Sequence, residues 1–334
     1  MSSPLVTVII PNYNGIRYLP RLMASLEAQL DDRLRVVVID DRSTDESVEY
    51  LRDAWPDVTV RCNELNLGFA GSCNAGMRLA TTPFVSLLNN DTHVDESWLG
   101  EALEPFDEPK VGAVASLVLL AEPPHLIDTA GDIYSVAGGA VKRNHLEPRD
   151  TAVNLGRRVF SPCGASAFYR REAVAEVGFL DERFVSYYED VDLGFRLAWA
   201  GHQCVFAPNS ICYHHLSSSY SPTGWSYHYN SARNAELVWW SHMSARLRRK
   251  HFASHLLFLA LQGIAEARRG RAASFIAGKW SVLQYLSHIR AKREADARVA
   301  RVGDGEIEAM LVQEWWDLHV GPKIKKLGNW IRGR

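Results

Sequence analysis

Phe84-Val85-Ser86-Leu87-Leu88-Asn89-Asn90-Asp91-Thr92-His93 is the stretch whose reading decides the fold. Its first five residues form an apolar run of the kind that becomes a buried strand. The run stops abruptly at two amides and a carboxylate. In an open α/β sheet, ligands bind outside the carboxyl ends of the strands. A carboxylate there, flanked by small oxygen-bearing side chains, suits a hard divalent cation that bridges phosphates. Taken alone, the same residues also read as a strand-to-helix turn capped by Asp91 or Thr92. Their neighbours decide between the two.

Upstream, residues 5–10 are a β-branched run ended by Pro11, and Asn12-Tyr13-Asn14-Gly15 is a loop. Over residues 17–30, Leu19, Leu22, Met23, Leu26 and Leu30 recur at helical spacing. Residues 35–39 read as a second strand ending in Asp40-Asp41, and Ser43 and Thr44 lead into a helix over 45–55. A third strand over 58–61 is followed by the glycine-punctuated loop Asn66-Leu67-Gly68-Phe69-Ala70-Gly71 and a helix over 72–80. The order βαβαβαβ predicts an α/β fold with a mostly parallel, Rossmann-like sheet flanked by helices. Downstream the pattern predicts a helix over 98–106, a strand over 111–120 and an irregular stretch over 121–160 that contains Asp128-Thr129-Ala130-Gly131-Asp132. A strand over 165–169, helices over 171–177 and 192–200, and a strand over 203–206 follow.

At 334 residues, with 47% hydrophobic and 23% charged residues, the chain has the make-up of an ordinary globular protein. Its net charge of −2 hides an asymmetry. Residues 1–232 carry 18 Lys/Arg against 30 Asp/Glu, whereas residues 233–334 carry 19 against 9. An acidic body thus joins a basic tail that is expected to seek a surface. The five cysteines are odd in number and lack metal-ligand spacing, so reduced thiols of a cytoplasmic protein are expected. Val6-Thr7-Val8-Ile9-Ile10 reads as a strand with no basic segment before it, so no signal peptide is expected. The longest apolar stretch, over 252–265, is shorter than a spanning helix needs.

Five polar constellations fall at strand ends or adjacent loops. They are Pro11-Asn12-Tyr13-Asn14, Asp40-Asp41, residues 66–74, Asn89-Asn90-Asp91, and Glu189-Asp190-Val191-Asp192 with Arg196, followed by His214-His215. Turn chemistry seldom needs so many acids along one sheet edge, so this edge reads as a site for a nucleoside diphosphate. No Gly-x-Gly-x-x-Gly follows the first strand and no phosphate loop with Lys-Ser/Thr is present. Neutralisation of the diphosphate therefore falls to a cation held by Asp91. Asp190 or Glu189, beside Tyr187 and Tyr188, has the surroundings of a general base, because apolar walls raise a carboxylate pKa. Asp192 and Arg196 at i, i+4 also fit capping and a helix ion pair. One of His214 and His215 is a candidate for the metal shell.

These residues carry a resemblance. Val6-Thr7-Val8-Ile9-Ile10-Pro11-Asn12-Tyr13-Asn14-Gly15, Val38-Ile39-Asp40-Asp41-Arg42-Ser43-Thr44-Asp45 and Asn66-Leu67-Gly68-Phe69-Ala70-Gly71-Ser72-Cys73-Asn74-Ala75-Gly76 resemble family 2 glycosyltransferases of the GT-A fold. Leu88-Asn89-Asn90-Asp91-Thr92 stands where that family has an Asp-x-Asp metal motif, and Glu189-Asp190-Val191-Asp192-Leu193-Gly194-Phe195-Arg196 resembles its Glu-Asp motif. The match runs over about residues 4–220 and is most like the rhamnosyltransferase-like and galactofuranosyltransferase-like branch.

The resemblance implies that Pro11 and Tyr13 line a base whose imide nitrogen donates to Asp41. It further implies that Asn14, Asn66, Gly68, Phe69, Ala70, Asn74 and Asn90 serve the nucleotide. Asp91 and, by its spacing to Ser219, His214 would hold Mg²⁺ or Mn²⁺. Asp190 would deprotonate the acceptor, and Gly164, Glu189, Asp192 and Arg196 would serve the donor sugar and the acceptor. The implied reaction is an inverting transfer from a nucleotide-sugar donor, dTDP-rhamnose or a UDP-sugar, to a hydroxyl of a glycan or lipid-linked saccharide in bacterial cell-surface polysaccharide synthesis. Asn89 departs from the family pattern, where other branches have an acid. A non-catalytic nucleotide- or carbohydrate-binding module is the alternative.

The chain is expected to divide into a transferase domain over 1–226 and a basic helical region over 227–334 without identifiable chemistry. In that region Arg246, Arg248, Arg249 and Lys250 precede the apolar residues 252–264, and Arg268, Arg269 and Arg271 follow them. This suits an interfacial helix beside anionic lipid on the inner face of the cell membrane. It equally suits an appendage packed on the body or on a second subunit, and Trp315, Trp316 and Trp330 fit either. No nucleic-acid-binding motif accompanies the charge, so nucleic acid is not an expected partner.

Overall fold

The β-branched runs take interior positions in one large sheet, where strands buried on both faces must lie. The computed structural model of the protein describes residues 4–29, 33–216 and 224–319. In chain order, β1 (Val6–Asn12), α1 (Leu19–Glu27), β2 (Leu34–Asp40), α2 (Ser47–Ala54), β3 (Thr59–Cys62), α3 (Gly68–Leu79) and β4 (Phe84–Leu88) build the first half. Strands β4, β1, β2 and β3 lie side by side and parallel, with Val8, Ile9, Ile10, Val38 and Ile39 sealed from solvent.

The second half adds β5 (Thr92–Val94), α4 (Trp98–Leu103), β6 (Val111–Leu120) and three short strands, β7 (Ile127–Thr129), β8 (Asp132–Tyr134) and β9 (Ala140–Lys142). It continues through β10 (Arg158–Val159), β11 (Ser166–Arg170), α5 (Arg171–Val177), α6 (Glu189–Trp199) and β12 (Gln203–His214). Strand β11 runs antiparallel between β4 and β6, and β12 lies parallel to β6 on its far side.

The expected elements are present, with three instructive differences. The helix expected from residue 72 begins at Gly68, whose φ of +71° lets the chain turn directly into it. The strand expected to stop at Phe206 runs on to His214, with an irregularity between Ala207 and Ile211 around Pro208. A proline interrupts the ladder without ending the strand. Finally, Asp91 does not lead into a helix. It leads into β5, which pairs antiparallel with the end of β12.

The chain closes with α7 (Trp225–His242), α8 (Ala245–Arg268), α9 (Ala272–Ser281), α10 (Leu286–Val299), α11 (Asp304–Met310) and α12 (Trp315–His319). These helices share a core with the preceding residues: Trp239, Leu247, Phe258 and Trp315 pack with Tyr134, Phe160, Phe184 and Phe195. The boundary expected at residue 226 therefore crosses a common core. All five cysteines are free thiols. Among the described residues no helix is long and apolar enough to cross a membrane. Leu30, Ser217 to Ser219 and Trp330 lie outside the described residues.

Candidate active site

The polar strand ends are tied to one another. Asn90 Nδ2 donates to Asn12 Oδ1 at 2.9 Å, and Asn12 Nδ2 donates to Asp40 Oδ2 at 2.9 Å. Asp40 in turn accepts from the Ser43 amide at 2.9 Å and the Ser43 hydroxyl at 2.6 Å. The carboxyl ends of β4, β1 and β2 are thereby locked in register by side chains as well as by the ladder. Gly15 closes over this lattice. A Cβ there would fall 2.1 Å from Asn12 Oδ1 and 2.3 Å from Asn90 Nδ2, so only glycine fits. Around the rim stand Pro11, Tyr13, which is 41% exposed, and Asn14, whose Oδ1 accepts from the Thr44 amide at 2.7 Å.

Asp41 ties the end of β2 to the start of α3. Its Oδ1 accepts from Asn63 Nδ2 and the Leu67 amide and its Oδ2 from the Gly68 amide, each at 2.8 Å, and only 4% of the residue is exposed. A carboxylate that receives the free N–H groups at the start of α3 is a cap supplied from another strand. Asn66 Nδ2 adds a bond to the Asp41 carbonyl at 3.2 Å. These contacts hold Gly68, Phe69 and Ala70 at the site, and the Ala70 amide donates to the Val185 carbonyl at 3.4 Å.

Asp91 and His214 meet because Thr92 pairs with His214 in the β5–β12 ladder. His214 Nε2 lies 3.3 Å from Asp91 Oδ1, and its Nδ1 lies 3.0 Å from Asp128 Oδ2. Lys142 Nζ bonds both oxygens of Asp128, at 2.7 and 2.9 Å. Burial pulls the imidazole toward neutrality, but hydrogen bonds to Asp128 and Asp91 carry its pKa up to about 9. Burial likewise disfavours the Asp128 carboxylate, yet His214 and Lys142 draw its pKa down to about 2.

This donor set fits a hard divalent cation. It offers a carboxylate and an imidazole oriented by a second carboxylate, and Asn89 Oδ1 is buried nearby in sequence without a partner. A cation would replace the proton on Nε2. Among the described residues no group of three or more His, Cys, Asp or Glu forms a cage of its own, so remaining ligands must come from elsewhere.

The second half of the site is the start of α6. Asp190 Oδ2 accepts from the Gly164 amide at 3.1 Å, and its Oδ1 accepts from the Val191 amide at 2.8 Å. Burial raises its pKa and these backbone donors oppose the rise, with a net upward shift. Glu189 is pushed up by burial and by the charge of Asp190, and its Oε2 has no partner. Asp190 is the more open of the two, since Glu189 is only 6% exposed. A Cβ on Gly164 would lie 3.0 Å from the Phe69 ring and 3.9 Å from Asp190 Oδ2. Phe69, Gly164 and Asp190 thus converge, and the charge of Lys142 reaches Asp190 as well.

Three expected site residues stand elsewhere. Asn74 is buried and clamps the chain before α6, with Nδ2 donating to the Leu180 carbonyl at 2.8 Å and Oδ1 accepting from the Leu180 amide at 3.0 Å. Asp192 points to the far side of α6, where it bonds Arg196, His242 and Lys292. It is wholly buried, and Arg196 is 6% exposed. The ion-pair reading of this pair holds, while no side-chain hydrogen bond caps the start of α6.

Sequence reasoning missed Asp128 as the partner of His214 and missed Arg233 and Asn234 altogether. Asn234 Nδ2 reaches the carbonyls of Phe184, Ser186 and Tyr187 at 3.1, 3.0 and 2.8 Å. Arg233 adds bonds to the carbonyls of Arg183 and Phe184. The one available signal was an Arg-Asn pair inside a helix whose neighbours Ala232, Ala235, Leu237 and Val238 are apolar.

The family model described as Glycosyl transferase family 2 matches residues 7–178. An N-acetylglucosaminyl-diphospho-decaprenol L-rhamnosyltransferase of Mycobacterium tuberculosis is 26% identical over 245 residues, covering 64% of this chain and 77% of that protein. The O-antigen biosynthesis protein RfbC of Myxococcus xanthus is 27% identical over 227 residues, where the match spans 65% of this chain but 18% of RfbC. Among solved structures, GalNAc-T7 with UDP, GalNAc and Mn²⁺ superposes with a TM-score of 0.56 at 18% identity, over 70% of this chain and 48% of that one. That likeness concerns the fold, a GT-A arrangement.

Proposed function

The chain belongs to glycosyl transferase family 2, and from that premise we propose an inverting transfer of a sugar from a nucleoside-diphosphate donor to a hydroxyl of a glycan or lipid-linked saccharide. The observation that carries this reading is the Asp190 carboxylate, raised in pKa by burial and fixed by two backbone amides beside Phe69 and Gly164.

Asp190 takes the proton of the acceptor hydroxyl as that oxygen bonds to the anomeric carbon. The bond from that carbon to the diphosphate breaks on the opposite face, and its electron pair leaves with the diphosphate. A single displacement of this kind inverts the centre. The floor for the donor is the lattice of Asn12, Asp40 and Asn90, with Pro11 and Tyr13 along the base and the loop held by Asp41 over the diphosphate. Asp91 and His214 would hold Mg²⁺ or Mn²⁺, whose chemistry there is neutralisation of the diphosphate. The names of the relatives, an L-rhamnosyltransferase and an O-antigen biosynthesis protein, favour a rhamnose donor and an acceptor in bacterial surface polysaccharide synthesis, and dTDP-rhamnose or a UDP-sugar is the donor in this reading.

The test is a thermal-shift panel of dTDP-, UDP- and GDP-sugars with and without Mn²⁺. At a hundredfold excess over Kd the matching donor adds about 2.7 kcal/mol of stability, which reads as a clear rise in Tm. Asp91→Ala removes the part of that rise that depends on Mn²⁺, read against the variant's own free-protein melt, which is expected to fall because His214 loses a buried carboxylate partner. A rise that persists in full with EDTA defeats the metal assignment, and a panel without any rise defeats the donor assignment.

A further inference from the structure

Helices α8 and α9 leave large apolar side chains in solvent while they bury polar or small ones. On α8 the buried side chains are Leu247 and Phe258, which enter the core, and His251 and His255, the latter stacked on Trp239 at 3.7 Å with Nε2 3.2 Å from Glu236. The solvent side instead carries Phe252, Leu256, Leu257 and Ile264, 43%, 50%, 49% and 50% exposed. Their spacing keeps them on one stripe of the helix. Helix α9 repeats the pattern. It buries Ser274, Gly278 and Ser281, and it exposes Ile276 and Trp280 by 52% and 68%. The small inward residues are required, because a Cβ on Gly278 would fall 2.4 Å from the Tyr229 carbonyl of α7. The two helices adjoin where Gly263 faces the Phe275 ring.

Large apolar side chains facing water in a row gain nothing from the fold itself and mark a surface made for contact. The charges flanking the stripe say what kind. Arg246, Arg248, Arg249 and Lys250 stand at the start of α8, and Arg268, Arg269 and Arg271 stand at its end. Lys250 pairs with Glu308 and Arg269 with Glu266, but Arg246, Arg249, Arg268 and Arg271 have no carboxylate partner among the described residues. If a second copy docked on this stripe, parallel or antiparallel, a basic end would meet a basic end. A layer of anionic headgroups neutralises both ends at once while the apolar stripe enters the acyl boundary.

We propose that the outward face of α8 and α9 docks the protein onto a membrane surface that bears anionic lipid. This goes beyond the transferase reading and stands or falls apart from it, because its readout is binding and needs no turnover.

The experiment is sedimentation of the full chain with vesicles of phosphatidylcholine alone and with vesicles that also contain phosphatidylglycerol, at low and high salt. Binding to the second kind is expected, weakened but not abolished by salt, since screening acts on the charges and not on the apolar stripe. Replacing three charges in Arg268→Gln/Arg269→Gln/Arg271→Gln lowers partitioning onto the anionic vesicles on the order of a hundredfold. Leu256→Glu/Leu257→Glu/Trp280→Glu, all at exposed positions, lowers it by a similar factor and leaves the thermal unfolding unchanged. Absence of binding to phosphatidylglycerol vesicles overturns the proposal, as does wild-type binding by the triple glutamate variant. Self-association of the wild type without lipid, lost in that variant, also overturns it and assigns the face to a second copy.

Discussion

Asp190→Asn is expected to lower kcat on the order of 10²–10⁴-fold, the usual worth of a positioned general base. The amide has the shape of the carboxyl group but no basic electron pair for the acceptor proton. Because Asp190 is held by the Gly164 and Val191 amides rather than by the nucleotide lattice, donor binding should survive. The thermal rise with a matching sugar nucleotide and Mn²⁺ is the control that the variant is folded and loaded. The variant also loses one of the two backbone contacts, since an –NH₂ cannot accept, and this costs about 1 kcal/mol of stability.

The wild-type pH profile gives an independent reading of the same group. A base works as its carboxylate, so activity falls as pH drops through its pKa. Burial places that pKa above the ordinary 3.8, so the acid limb of kcat should lie above that value. Transfer at the wild-type rate by Asp190→Asn would remove the residue from the mechanism and turn attention to Glu189, whose carboxyl is also raised by burial and by its neighbour's charge.

The half of the site that the sequence disclosed is the half made by local pattern. β-branched runs show where strands lie, helical spacing shows what covers them, and the polar residues at strand ends necessarily share one edge of the sheet. Asn12, Asp40, Asn90 and Asp91 are legible for that reason. Contacts set by pairing at long range are not. Asp91 meets His214 through a ladder rung between β5 and β12, and Asp128 joins His214 across 86 residues. The inward face of a helix is equally illegible when polarity is inverted. Periodicity on α8 shows that a stripe exists, yet it is Trp239 and Glu236, waiting for His255, that turn this histidine in while Leu256 and Leu257 stay out. The residues after 226 join the site's backbone by the same kind of long-range contact, from Asn234 to the turn before α6.

Asn234→Ala should be the most damaging change outside the strand ends, and the reason lies in the backbone before α6. Val185, Tyr187 and Tyr188 have φ of 64°, 73° and 70°, conformations that cost non-glycine residues about 1–3 kcal/mol each unless their surroundings impose them. Asn234, sealed from solvent, imposes them by binding three carbonyls of that turn, while Arg233 Nε donates to its Oδ1 at 2.9 Å and holds the amide in place. Removing the amide takes hydrogen bonds from three carbonyls at once, which costs about 1–3 kcal/mol in a denaturant melt. It also frees the turn that aims Glu189 and Asp190, and a shift of this size lowers kcat by about a hundredfold.

Because the amide touches neither donor nor acceptor, KM for the sugar nucleotide should change little while kcat falls. Asn234→Asp separates hydrogen bonding from packing. It keeps the volume but sets a carboxylate against three carbonyl oxygens, so it should be no better than alanine. Full kcat in Asn234→Ala, measured at a temperature where the variant is folded, would show that the strained turn holds its shape without the amide and that the C-terminal helices serve the fold alone.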